Sequence, residues 1–398
     1  MLKHISNLDA LVRDLTDFQK EMEVGELLKL DTAQPSPTAE RLRQVDQALE
    51  TLKGLSLSGK DDPGDLQQLV NIGQTYERLS HLEKAHETYG TALGMAERLG
   101  DARNRATLLN RMGRVLSRWN RWAEALDHLD RSGEVYRELG DRQGQAGVLL
   151  GRGIALHEQG DYEAATEAYR EALDLAQLAG DQKTVANTIN ALAVLATIRG
   201  DFDEAVTRYQ TCLMMFQEAR NLTGQARAYH NLGMTHADRQ DWNAAMACYE
   251  QAFGIAQEHG MVDVMANVHL SRAELLLELG DSSMVAICCA RALDIYRKTE
   301  NHIGEADTYR LLGKLFTLRK RWSTALGLFQ DSLRLNEEYG SPLNLAETHR
   351  DLGKMSAARG NVAEARASFE TALASFRKLG AEADVAGVER LIEALGKS

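Results

Sequence analysis

DRQGQAGVLLGRGIALHEQGDYEAATEAYREALDLAQLAG, residues 141–180, decides how the whole chain is read. Its apolar and small residues fall at Ala146, Leu149, Leu150, Gly153 and Leu156, and again at Tyr162, Ala165, Ala168, Tyr169, Ala172, Leu173 and Ala176. Both sets keep the three-and-four spacing of an amphipathic helix, so the stretch predicts a pair of helices. Between them, Gly160-Asp161 joins a residue able to end one helix in the left-handed conformation to one able to cap the amides that start the next. Gly180-Asp181 repeats that signal at the far end.

Working outward, the same pattern returns every 40 residues from Asp61, giving the units 61–100, 101–140, 141–180, 181–220, 221–260, 261–300, 301–340 and 341–380. The thirteenth position of each unit is tiny: Gly73, Gly113, Gly153, Ala193, Gly233, Ala273, Gly313 and Gly353. The twenty-fifth is Ala85, Ala125, Ala165, Ala205, Ala245, Val285, Ala325 and Ala365. Small residues at fixed places are what close approach of helix axes requires, so 61–380 predicts an array with a continuous narrow core. The Gly-Asp or Gly-Asn grammar recurs at Gly100, Gly140, Gly200, Gly280 and Gly360, and Glu204 and Glu364 are placed to complete capping boxes with Asp201 and Asn361.

An aromatic usually follows the middle turn: Trp122, Tyr162, Phe202, Trp242 and Trp322. A stripe of tryptophans also suits a ligand cage, but the constant spacing from unit to unit favours a hydrophobic plug between helices. Cys212, Cys248, Cys288 and Cys289 form no paired motif and read as reduced, core-facing residues of a cytoplasmic protein. No metal or cofactor is expected. A net charge of -12 argues against general binding of nucleic acid or anionic membranes. Asp9 and Asp14 precede any long apolar run, so the N-terminus does not read as a signal peptide, and no later stretch reads as membrane-spanning.

On these residues the chain resembles the tetratricopeptide repeat family: Leu149, Gly153, Leu156, Ala165, Tyr169 and Ala172 match its large, small, large, Ala, aromatic, Ala pattern. The repeat exceeds the usual length of about 34 residues. The extra residues lie between the Ala172 position and the first large position of the next unit, Ile189, which lengthens the outer ends of both helices. This long form is similar to the repeats of LGN/Pins scaffolds, kinesin light chains and Rap/PlcR-type bacterial peptide receptors. The resemblance implies an all-α, right-handed superhelical solenoid of antiparallel helix pairs. Unit 261–300 departs most, with Ser282, Val285 and Cys289 in place of aromatic, Ala and aromatic.

The ends differ from the array. In residues 1–60, Ile5, Leu8, Leu11, Leu15, Phe18 and Met22 make one apolar helical face, and Leu42, Val45, Leu49 and Leu52 another. Ala33-Gln34-Pro35-Ser36-Pro37 separates them as a linker, so the segment reads as an atypical helical N-terminal cap. Docking of its first helix onto a partner or a second copy of the chain is the competing use. In 381–398, Val385, Val388, Ile392 and Leu395 line a C-terminal capping helix, with Glu382, Asp384 and Glu389 expected to face water.

In the family, the first helix of each pair lines the concave surface along which partner peptides lie. Carried over by motif position, this implies a groove of columns that do not repeat: Asn110, Arg111, Arg114 and Arg118 near one end, Asn187, Asn190, Arg227, His230, Asn231 and Asn267 in the middle, and Arg310, Lys314, Arg350 and Lys354 near the other. Asparagine can both donate to a peptide carbonyl and accept from its amide, and arginine pairs with carboxylates through charge-assisted bonds. The columns therefore predict an acidic extended or partly helical protein or peptide partner, with phosphopeptides an open alternative. Solvated charge on ordinary helix faces is the competing reading.

No constellation for catalysis stands out, so no enzyme is expected. The chain has no phosphate-binding loop, zinc-binding His-Glu-x-x-His helix or nucleophile elbow; His157-Glu158 lacks the following His, and His81 and His86 need not share a face. The leading expectation is a non-enzymatic interaction scaffold. The alternatives are a peptide-sensing regulatory receptor of the Rap/PlcR type, for which residues 1–60 are short, and a subunit that self-assembles through the N-terminal helix or the array ends.

Overall fold

A computed structural model describes residues 62–78, 81–339 and 342–396. The expected N-terminal cap and its proline linker lie outside the described residues. Among those described, all regular structure is helical. The first helices of the pairs are α1 (Pro63–Arg78), α3 (Ala102–Arg118), α5 (Arg142–Gln159), α7 (Gln182–Arg199), α9 (Leu222–Asp238), α11 (Val262–Glu278), α13 (His302–Leu318) and α15 (Pro342–Ala358). The second helices are α2 (Leu82–Leu99), α4 (Trp122–Glu138), α6 (Tyr162–Ala179), α8 (Phe202–Glu218), α10 (Trp242–Glu258), α12 (Val285–Lys298), α14 (Trp322–Tyr339) and α16 (Val362–Leu379), and α17 (Glu382–Leu395) follows. Each helix packs most heavily on its chain neighbours, and successive first helices also touch, which is the contact pattern of a solenoid.

The recurrent small residue has a specific partner. A Cβ on Gly153 would overlap the ring of Tyr169, and one on Gly233 or Gly313 would come within 2.6 Å of Tyr249 or 2.8 Å of Phe329. Tyr169, Tyr249 and Phe329 are fully or almost fully buried, so in these units the second helix presses a ring into a notch that only the missing side chain leaves open. In unit 261–300 the aromatic is replaced by Cys289 and the small residue is Ala273, whereas Gly113 meets Leu129 and Ala193 shares its unit with Tyr209.

A second interlock joins one unit to the next. Gly144, Gly224 and Gly304 lie under Tyr136, Phe216 and Tyr296 of the preceding units, and a Cβ on Gly304 would stand 2.5 Å from the Tyr296 ring. The intervening junctions invert the sizes, pairing Ala176 with Thr184 and Ala256 with Val264. Ring-on-glycine and alanine-on-larger junctions therefore alternate from unit two to unit seven, and the next junction breaks the pattern with Asn336 and Asn344.

Helix starts follow the expected capping in most places. Asp101, Asp141, Asp161, Asp181, Asn221, Asn301 and Asn361 accept from backbone amides three residues on, as in Asp141 Oδ1 from Gly144 N at 2.9 Å. Asp201 and Asp241 make no such bond. At several turns without glycine the chain still adopts the left-handed conformation, at Asn120, Arg220, Gln240, Glu300 and Lys320. In unit 261–300, Asp281 accepts from Ser283 N at 3.1 Å and the second helix starts late, at Val285, leaving it 14 residues long.

At the C-terminus, Val388 is fully buried while Val385, Ile392 and Leu395 are partly so. Asp384 and Glu389 are not simply solvated: Asp384 pairs with Arg350, and Glu389 accepts from Arg377 at 2.6 Å. No helix among the described residues is long and apolar enough to cross a membrane.

Gly153→Ala should lower the melting temperature through a packing cost of about 1–3 kcal/mol. Gly254→Ala, on an exposed helical face with nothing within 4 Å of the new methyl, should raise stability by about 0.5–1 kcal/mol. Thermal melts followed by circular dichroism check both signs.

Candidate functional site

The first helices of units two to five line a cavity of about 690 Å³. Six of the residues expected in the groove converge on it: Asn110 and Arg114 from α3, Asn187 and Asn190 from α7, and Arg227 and Asn231 from α9. Between the flanking helices, α5 contributes a floor in which Gly147 and Gly151 alternate with Leu150 and Ile154, with His157 and Glu158 beyond them. Arg103 and Lys183 add positive charge at the rim. Asp141 and Asp181, also at the rim, are occupied as helix caps, and Asp141 also meets Arg103 at 3.1 Å. Asn110 Oδ1 and Asn190 Oδ1 have no hydrogen-bond partner among the described residues.

The cations at the other end are differently placed. Arg310, with 7% of its side chain exposed, meets Asp351 and Glu347 at 3.0 Å, Asp307 at 3.2 Å and Glu274 at 3.6 Å. Lys314 reaches Glu274 at 3.1 Å and Glu278 at 3.2 Å. Arg350 pairs with Asp384, Glu347 and Asp351, and the half-exposed Lys354 lies 3.5 Å from Asp351. The expectation that this cluster selects a partner's carboxylates is corrected: six carboxylates of the chain itself surround these four cations. Neighbouring first helices stand close enough for residues about 40 apart to pair, so the cluster bolts α11, α13, α15 and α17 together.

Burial raises the cost of charge on Glu274, but Lys314 and Arg310 outweigh it and hold the carboxyl down at about 2. Asp351 is likewise held well below the usual carboxylate range, with Lys314, Arg350 and Arg310 overcoming its burial.

Four further expected residues have partners in neighbouring elements. Arg111 lies over the Tyr89 ring and 3.8 Å from Glu77, and Arg118 Nη1 donates to Glu77 O at 3.2 Å. Asn267 accepts from the Tyr296 hydroxyl at 2.7 Å. His230 is buried, its Nε2 lies 2.9 Å from Ser271 Oγ, and burial pushes its pKa down to about 4, so it is neutral at pH 7. The contacts of Arg111, Arg118 and His230 tie neighbouring units together, that of Asn267 joins the two helices of its own pair, and none of the four residues lines the cavity.

Sequence models of the tetratricopeptide repeat match residues 104–177, 184–258 and 264–338, and another matches 344–371. The chain belongs to the tetratricopeptide repeat family. Its repeats share their fold with a Rap conjugation gene regulator of the plasmid pLS20 in complex with the Phr* peptide, at 11% identity and a TM-score of 0.59, over 84% of this chain and 96% of that one. The apo quorum sensor NprR from B. thuringiensis is similar at 15% identity and 0.52, over 92% and 99%. Aspartyl phosphate phosphatase F from Bacillus subtilis is similar at 13% identity and 0.54, over 86% and 95%. No curated protein matches the chain.

Within these tetratricopeptide repeats, the column reading missed the glycine floor and the aromatic walls formed by Tyr136, Tyr169 and Phe216. A signal was present: Gly147 and Gly151 stand where other units carry Asn187, Arg227, Arg111 or Asn231. The neutralising carboxylates were visible too, since Glu274, Asp307, Glu347 and Asp351 occupy columns next to the cations.

Arg310→Leu should destabilise the protein by about 3–5 kcal/mol, because it leaves Asp351 buried without its nearest cation. Glu274 and Asp351 titrate below the ordinary carboxylate range when folded, so their stabilisation is complete above pH 4.5 and is lost as pH falls towards about 2. Glu274 keeps 42% of its side chain exposed, which screens its share. Acid melts of Asp351→Asn should accordingly show a smaller loss of melting temperature over that window than the parent protein.

Proposed function

We propose that the chain is a peptide-sensing regulatory receptor that acts by binding, without catalysis, and holds a short extended segment in the groove of units two to five. The observation that carries this reading is the 690 Å³ cavity on which asparagines from three separate units converge. Asparagines spaced along a groove can bond a peptide backbone whatever its side chains, and Gly147 and Gly151 of α5 leave room for one of those side chains. The acidic preference of the ligand falls to Arg114, Arg227 and Lys183. Arg227 also meets Asp263 at 3.1 Å, an exposed pair that a ligand carboxylate can replace at little cost.

Two observations support a receptor over a general scaffold. The cavity is local, spanning half of the array, as suits a short ligand. A protein of the same fold has been solved with a bound peptide, the Rap regulator with Phr*. The proposal places the protein in the cytoplasm, where Cys212, Cys248, Cys288 and Cys289 remain free thiols.

An unbiased peptide library screened on the full chain, followed by calorimetry on the hits, tests this. Asn190→Ala combined with Asn231→Ala should weaken binding by about 10–100-fold, the equivalent of one or two lost hydrogen bonds. Arg114→Ala combined with Arg227→Ala should weaken acidic peptides more than their amide counterparts. Hits whose affinity neither double variant alters, with helicity intact, would remove the groove as the binding site.

A further inference from the structure

The solenoid turns far enough for its C-terminal end to meet its middle. A Cβ on Gly160, in the middle turn of unit three, would stand 2.5 Å from Leu379 Cδ2 and 3.7 Å from Pro342. One on Gly200, in the middle turn of unit four, would lie 3.4 Å from the Ala383 methyl. The equivalent turns at Gly280 and Gly360 have nothing within 4 Å, so the contact belongs to these two units and is not a property of the turn. Helices α7 and α17 touch directly across this seam.

An apolar cluster runs through the seam. Tyr162, Tyr169, Leu192 and Leu195 of units three and four share one core with Phe376, Leu379 and Val388 of the C-terminal end, and Ile198 packs against it. Ile198 is informative because its position is polar in the adjoining units, Glu158 before it and Asp238 after it. Leu318, at the same position of unit seven, stays exposed, whereas Ile198 packs on the seam cluster. The seam also borders the ligand groove: Tyr169, Leu150, Ile154 and Ala191 belong to the cluster and line the cavity.

We infer that the C-terminal end is an intramolecular latch, in which α17 and the end of α16 dock on the middle turns of units three and four and restrict access to the groove beside them. The latch rests on the groove being the ligand site, but its mechanics can be read without a ligand. It is built to open: at the middle turns the contact joins elements about five units apart through Gly160 on Leu379 and Gly200 on Ala383, without the ring-on-glycine interlock that joins helices within a pair such as Gly153 and Tyr169. Opening the seam widens the groove without unpacking any single pair.

Two variants loosen the seam. Ile198→Asp installs the residue that unit five already carries at this position, and Ala383→Trp adds bulk at an exposed position facing Gly200. Each is combined with Asn190→Cys in the full chain, and labelling of that cysteine by a polyethylene-glycol maleimide is compared with labelling by N-ethylmaleimide, after subtracting the reaction of protein that retains Asn190. The ratio of bulky to small reagent rates should rise about tenfold, the equivalent of about 1.4 kcal/mol removed from closure, and the small-angle scattering radius should increase. An unchanged ratio and radius, with helicity preserved, overturns the latch. If Ile198→Asp loses helicity, Ala383→Trp decides alone by the same two readings. Peptide affinity left unaltered by Asn190→Ala combined with Asn231→Ala would count against the groove and leave these readings untouched.

Discussion

The structure depends on the meeting of a glycine with a ring. Gly153 under Tyr169, Gly233 under Tyr249 and Gly313 under Phe329 set how closely the two helices of a pair approach. Gly144, Gly224 and Gly304 repeat the device between pairs. Because packed interiors tolerate neither voids nor overlap, these notches fix both the separation and the relative rotation of successive helices. Those small rotations add along the array until unit eight returns to units three and four. The charged cluster follows from the close approach of neighbouring first helices, and the C-terminal seam from the accumulated turn.

The same geometry gives similar cations different work. Arg114 and Arg310 both lie on first helices and were indistinguishable as candidates from the columns alone. Arg114 is exposed at the cavity, whereas Arg310 is buried among Asp307, Glu347 and Asp351. A buried cation ringed by carboxylates holds neighbouring helices in register, because losing either partner leaves an uncompensated charge. An exposed one beside asparagine amides keeps its bonding capacity for something outside the chain.

Much of the fold was legible in the residues. The period, the helix pairs and most of the caps could be read from Gly153, Ala165 and the Gly160-Asp161 turn. Turns closed by Asn120, Arg220 or Lys320 carried no glycine to announce them, because an array position that must be left-handed can impose that conformation on an ordinary residue. The site was legible in part. Six of the column residues converge on the cavity, while Arg310, Lys314 and His230 are engaged by partners that only the packing of adjacent units brings near.

By itself the sequence determined the unit: local spacing dictates where each helix starts, which face it buries and which small residue admits its neighbour. Tertiary structure decided what each non-repeating residue meets. A side chain's neighbours across the groove or seam lie one or several units away, and their distance depends on rotations summed over every intervening contact. No single unit encodes that sum, so the cavity beside Asn190, the buried pairing of Arg310 and the return of Leu379 to Gly160 exist only in the assembled array.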